Sequence, residues 1–397
     1  MQKYCFAVFV ASLLVAAPPA NAQWVRRVNV EVGDILHMQV DVSDPTKLWC
    51  GVNETSGNLK LVDVSDPERP TTMTTTTLGN GPVYQFAQTS DGNKMYSFDY
   101  DKEETGHIYS FREIFKDTDD LTSLTLGNKV KMPTPGARIM AIDDTNTTVL
   151  IGTAGGIADP NEVRIVNVSS VPVWRQSEGV NLGSTGTSSA TLAAANGIVI
   201  QGERAVLAIQ NATLNRNFQI RGFPDLQTLI GSVIITGGAY SVATTPDPDE
   251  FLVGTDNHTS GDLLLFRVNG STPEFKAGLE LGDKPVRSIS TVGWNNSTKI
   301  AVAVLQTDIY QPLTIVPVNV TDPYNPMALS PLEISEGVKA YAVTIVNGVI
   351  IIAVSTNGVS TASSTLTAKD TPPEAGSLQV YAYTGEPAQV ANWELYE

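Results

Sequence analysis

The sequence predicts an all-β chain folded as a seven-bladed β-propeller of four-stranded antiparallel blades, with the ring closed by an N-terminal strand. Three observations predict it. First, one pattern recurs: an apolar strand, a polar loop, Gly, one polar residue, then a strand alternating apolar and polar. Residues 48–53, Gly57 and 59–64 form one copy; 95–100, Gly106 and 108–111 a second; 251–256, Gly261 and 263–268 a third; 350–355, Gly376 and 378–383 a fourth with a long insert. Second, Gly marks the junctions between units, at Gly33, Gly79, Gly127, Gly183, Gly282 and Gly337, with a degenerate junction within 230–238. Third, the turns carry residues that fix or tolerate turn dihedrals, as in Asp44-Pro45, Asp66-Pro67, Asp91-Gly92, Asp322-Pro323 and Asn347-Gly348.

The first unit sets the template. Residues 35–42 form the inner strand A, 48–53 strand B, 59–64 strand C and the Thr-rich 71–78 the outer strand D. Strand D suits a solvent-facing sheet surface because β-branched Thr fits the pleat and tolerates water. Residues 24–32 alternate and end at Gly33, as a strand D does. They therefore supply the missing outer strand of the last blade, which removes a free edge; residues 388–395 compete for that place.

Residues 1–22 have the form of an export signal: Lys3, an apolar stretch over 4–17 and the small-x-small site Ala20-Asn21-Ala22. The expectation is a secreted, extracellular protein with a single propeller domain over 23–397. The longest later apolar run, 349–354, is strand-sized, so no membrane insertion is expected. The formal net charge is −16, and loss of Lys3 with the leader makes it −17. That charge argues against nucleic acid and anionic membranes as partners. Cys5 leaves with the leader, and Cys50, mid-strand beside Trp49, is expected as a buried free thiol.

Asn-x-Ser/Thr sequons start at Asn53, Asn146, Asn167, Asn211, Asn257, Asn269, Asn295, Asn296 and Asn319. By the template, most fall at A–B or C–D turns, which share one face; only Asn53 and Asn257 fall near B–C loops. Used sequons would crowd the first face with sugar and leave the B–C/D–A face for function. The B–C loops are expected to be long and acidic. Asp99, Asp101, Glu104 and His107 in the second unit, Asp256 and Asp262 in the fifth, and His37 on the first inner strand are the ligand-binding candidates. Carboxylates gathered at a channel mouth suit a cationic ligand, Ca2+ or Mg2+; equally, acidic surface loops serve solubility. No cofactor is required by any motif. Arg138 and Arg287, near inner-strand starts, are candidates for an anion in the channel. Nucleophile-elbow, HExxH, phosphate-loop and dinucleotide motifs are absent from the sequence.

The stretch Leu59-Lys-Leu-Val-Asp-Val-Ser-Asp-Pro-Glu-Arg-Pro70 resembles the LVIVD repeat of secreted and cell-surface propellers, with weaker echoes over 163–172 and 313–326. Ser90-Asp-Gly-Asn-Lys-Met-Tyr96 is similar to the strand-turn-strand of YVTN-type propellers. The resemblance implies an extracellular binding or adhesion role, with a protein or glycan ligand. Some YVTN-like relatives are lactonases, so a hydrolase with a carboxylate site at the channel mouth is the alternative; no residue set here matches a lactonase site. Ligand and oligomeric state are not legible in the sequence.

Overall fold

The computed structural model describes residues 23–33, 35–66, 69–103, 106–132, 138–153, 161–174, 179–182, 194–210, 216–245, 247–256, 258–282, 284–293, 299–305, 313–334, 339–346, 349–355 and 377–384. Residues 1–22, Glu104, Asn211, Asn257, Asn295, Asn296 and residues 388–395, the expected rival for the closing strand, lie outside them. The described residues form strands and turns with no helix, and the strands fall into seven antiparallel sheets.

Six sheets are built from strands consecutive in sequence. Blade 1 is Ile35–Val40, Lys47–Val52, Leu59–Asp63 and Thr71–Thr76; blade 2 is Val83–Gln88, Lys94–Glu103, Gly106–Lys116 and Leu124–Met132. Blade 3 is Ile139–Ile142, Thr148–Gly152, Val163–Asn167 and Val173–Trp174; blade 4 is Ala194–Gln201, Arg204–Gln210, Phe218–Gly222 and Leu229–Val233. Blade 5 is Ala239–Thr244, Glu250–Thr255, Leu263–Asn269 and Thr272–Leu279. Blade 6 is Val286–Gly293, Lys299–Leu305 and Leu313–Asn319, with its outer strand split into Met327–Ala328 and Leu332–Ile334. The remaining sheet joins both ends of the chain: Lys339–Val346, Val349–Ser355 and Ser377–Thr384 are followed by Gln23–Glu31, which runs antiparallel to Ser377–Thr384. Each inner strand packs beside the next, and the first packs beside the last, so the sheets close into a ring around a central channel.

The core lies between blades. Trp49, Leu59, Leu61, Val83, Phe86, Met95 and Ile114 fill the layer between blades 1 and 2, and Tyr96, Phe98, Phe111, Val149, Ile151 and Val166 that between blades 2 and 3. Each such side chain contributes about 1.5–3 kcal/mol by leaving water. Cys50 is buried and free, its thiol pushed up to about 12 by burial.

Two repeated devices position the channel mouth. Strand B of blades 1, 3 and 5 carries a Gly where the next blade's chain passes. A Cβ at Gly51 would lie 2.7 Å from the Val83 carbonyl oxygen, one at Gly152 2.6 Å from that of Ala195, and one at Gly254 2.6 Å from that of Val286. Glycine there lets consecutive blades touch backbone to backbone. Next, the residue preceding strand C ties down the junction that leads to the following blade. Asn58 accepts a hydrogen bond from the Leu78 amide at 2.8 Å and donates to the carbonyls of Gly79 (3.2 Å) and Gly81 (2.5 Å). Glu162 accepts from the Leu182 amide at 2.5 Å, and Asp262 accepts from the amides of Leu281 and Gly282, both at 3.1 Å.

Candidate functional site: the channel mouth

The inner strands share an irregularity at their first turn of pairing. The register slips by one residue between Ile35 and His37, Val83 and Gln85, Ala195 and Gly197, Ala239 and Ser241, Val286 and Ser288, and Ala340 and Ala342. The extra residues are Leu36, Tyr84, Asn196, Tyr240, Arg287 and Tyr341. In blade 3 the Arg138 amide donates to the Gly152 carbonyl at 2.8 Å while Ile139 pairs with Gly152, so Arg138 holds the equivalent place. A bulge takes one residue out of the ladder and re-aims its side chain. Here the register slips lie at one level of the ring, at the end where D–A and B–C connections meet. Aligning the inner strands by their first small apolar residue (Ile35, Val83, Ala195, Ala239, Val286, Ala340) would have revealed this set.

Four consecutive members form a connected polar arc. Arg138 Nη1 donates to Asn196 Oδ1 at 2.8 Å, and Asn196 Nδ2 donates to Gln210 Oε1 at 3.2 Å. Gln210 Nε2 donates to the Tyr240 hydroxyl at 3.4 Å, and the Arg287 guanidinium lies 4.1 Å from the centre of the Tyr240 ring, a cation–π contact. Both arginines are exposed. The Arg138 pKa is nevertheless held below the ordinary arginine value, first by desolvation in the concave surroundings and then by the positive charge of Arg287. Arginines from blades 3 and 6 thus converge over the channel in a chain of strongly negative net charge. The arc can hold an anion with paired, directional N–H donors.

The acidic candidates are arranged differently from the sequence expectation. In blade 2 the expected loop is strand: Glu103 pairs with Gly106, Lys102 with His107 and Asp101 with Ile108. Asp101 and His107 sit on this arm. Asp99 is fully buried in strand B, with Ser97 Oγ donating to it at 3.1 Å and the Arg112 guanidinium paired with it as an ion at 3.6 Å. Burial raises its pKa against the opposing pull of Arg112. Asp262 is 1% exposed and serves as the backbone latch described above; burial and the neighbouring Glu280 raise its pKa to about 6. Asp256 is half-buried in the same loop. His37 packs edge-on against Phe86 at 4.5 Å, and burial pulls its pKa down to about 4, so the ring is neutral at ordinary pH. Among the described residues no group of three or more His, Cys, Asp or Glu side chains is placed to hold a metal ion.

Much of the acidity lies instead on the opposite face, in turns. Asp41, Asp44, Asp63, Asp91, Asp117, Asp120, Asp225, Asp247 and Asp322 each accept a hydrogen bond from the amide two residues on, at 2.8–3.1 Å. These are Asx-turns, which close a tight connection with a short carboxylate. The same geometry accounts for two sequons: Asn167 accepts from the Ser169 amide at 3.1 Å and Asn319 from the Thr321 amide at 3.0 Å, in the place where blade 1 has Asp63 and Ser65. Asn269 is exposed at a two-residue C–D turn, and Asn53 lies at the end of strand B on the other face. Asn146, with φ of 58°, is tied to blade 2, its Oδ1 accepting from the Ser90 amide at 2.9 Å.

No protein-family profile matches the chain, and no curated protein matches it. Among solved structures it is similar to a protein of Bacteroides fragilis provisionally named a 6-phosphogluconolactonase. The TM-score is 0.59 at 10% identity, over 83% of this chain and 96% of the other. At that identity the likeness supports the propeller fold alone.

Proposed function

We propose that this chain is a secreted binding propeller that takes a small anionic ligand at the channel mouth, on the B–C/D–A face. The observation that carries the reading is the convergence of Arg138 and Arg287 over the channel, linked through Asn196, Gln210 and Tyr240. Two guanidinium groups held together repel each other, and an anion between them relieves that repulsion while accepting their N–H groups. Sugars on used sequons such as Asn269 would cover the A–B/C–D face and leave the mouth open. The ring's resemblance to LVIVD and YVTN-type repeats supports an extracellular binding role.

The test is calorimetric titration of the purified chain with phosphate, citrate and gluconate, repeated on Arg138→Gln and Arg287→Gln. Saturable heat with one anion, weakened at least tenfold in both variants, is the expected result. No saturable heat with any of them, or heat unchanged by both substitutions, would overturn the reading. A second reading is that the same mouth opens a lactone. The fold shared with the protein provisionally named a 6-phosphogluconolactonase favours it. Proton release during incubation with glucono- and phosphogluconolactones, above the spontaneous rate and lost in Arg138→Gln, would establish it.

A further inference from the structure

Blade 2 carries a group of aromatic side chains that the anion site does not use. Its B–C hairpin, Lys94–Glu103 and Gly106–Lys116, has the longest strands of the described chain and stands beyond its own inner strand on the B–C/D–A face. Tyr84 is the bulged residue of that inner strand. Its ring centre lies 6.0 Å from that of Tyr109, which stands 5.6 Å from Tyr100 in an edge contact and 5.5 Å from Phe98 in a stack. Phe98 is fully buried and forms the floor, while Tyr84, Tyr100 and Tyr109 are each part-exposed. Gly81 seats the group: a Cβ there would strike the Tyr100 ring. Among the described residues the Tyr84 and Tyr109 side chains make ring contacts and no hydrogen bond.

We propose that Tyr84, Tyr100 and Tyr109 form a carbohydrate-binding platform beside the channel mouth, taking a neutral pyranose ring. Three features favour this occupant. Part-exposed tyrosines offer an apolar ring face and a polar hydroxyl together, matching the C–H face and rim hydroxyls of a sugar. Among the described residues the Tyr84 and Tyr109 hydroxyls make no hydrogen bond, so a sugar taken there breaks no bond within this group. The rings are positioned by a bulge, a glycine and an over-long hairpin, so little side-chain freedom is lost on binding. A neutral ligand also escapes repulsion by a chain of net charge −16. Sugars with all-equatorial hydroxyls show the flattest C–H faces, so β-linked glucose oligomers are the first probe. The proposal does not depend on the anion site.

The experiment is saturation-transfer NMR and calorimetry of the purified chain with cellohexaose, xylohexaose, mannohexaose and maltohexaose. The variants are Tyr84→Leu and Tyr109→Leu, which keep apolar bulk but remove the ring face, and Arg138→Gln. Saturation of ring C–H protons of at least one oligomer is expected, with affinity reduced tenfold or more in either Leu variant and unchanged in Arg138→Gln. Tyr84→Phe should keep most of the affinity. Absence of saturation with all four oligomers, or binding indifferent to both Leu variants while their far-UV circular dichroism stays native, would overturn the proposal. Loss only in Arg138→Gln would assign the sugar to the anion site and overturn it equally.

Discussion

Asp262→Asn should stabilise the protein at neutral pH. Asp262 is 1% exposed, accepts from the amides of Leu281 and Gly282, and has its other carboxylate oxygen buried without a hydrogen-bond partner. Burial, with Glu280 adding to it, lifts its pKa from 3.8 to about 6. The native state therefore binds the proton more tightly than the unfolded chain between those values. Unfolding free energy falls as pH rises through that window, and the whole cost is present above pH 6. Two pKa units correspond to about 3 kcal/mol, which is the upper bound on the gain. Asn in this place keeps the acceptor for the two amides and carries no charge. Blade 1 already works this way: the Asn58 amide serves both as acceptor and as donor. The expected gain at pH 7.5 is about 1–2 kcal/mol, shrinking towards zero near pH 4. Urea unfolding followed by tryptophan fluorescence at pH 4, 5, 6 and 7.5 reads it as a midpoint difference that opens with pH. An equal or lower midpoint for Asp262→Asn at pH 7.5, or a gain that persists undiminished at pH 4, would show that the buried Asp262 charge does not cost stability.

Other substitutions probe the frame. Lys116 reaches from blade 2 to bond Asp41 of blade 1 and Gln88 Oε1 at 2.7 Å, while Trp49 Nε1 donates to Asp41 at 2.6 Å. Burial pushes the Asp41 pKa up, but its bonds from Lys116, Ser43 and Trp49 prevail and hold it below normal. Lys116→Met strands that carboxylate and should cost about 3–5 kcal/mol in urea unfolding; a loss under about 1 kcal/mol would contradict a buried pair. Gly51→Ala places a methyl group 2.7 Å from the Val83 carbonyl and should cost about 1–3 kcal/mol, read as a lowered melting temperature. A matched control, Gly202→Ala, meets nothing within 4 Å but sits at φ of 56°, so its smaller loss reports backbone strain alone.

The repeat pattern located the strands well because each blade buries the same positions. Predicted strand B of the first unit, 48–53, is observed as Lys47–Val52, and the 24–32 segment pairs with Ser377–Thr384 as the closing outer strand. The site was less legible. Acidic residues between strands read as a ligand surface, yet Asp99 lies inside a strand and Asp262 bonds backbone amides. One-letter patterns do not distinguish a carboxylate facing solvent from one closing a turn. The tyrosine group was missed because Tyr84, Tyr100 and Tyr109 come from three strands and have no shared spacing. Arg138 and Arg287 were visible singly, but their convergence needed the ring.

An anion site at the channel mouth built from Arg138 and Arg287 should be visible directly. The most direct test is a crystal of the chain soaked in selenate, with the anion located by its anomalous signal. A peak within hydrogen-bonding distance of both guanidinium groups, lost in Arg138→Gln, is expected. A mouth free of selenate in crystals that bind it elsewhere would contradict it.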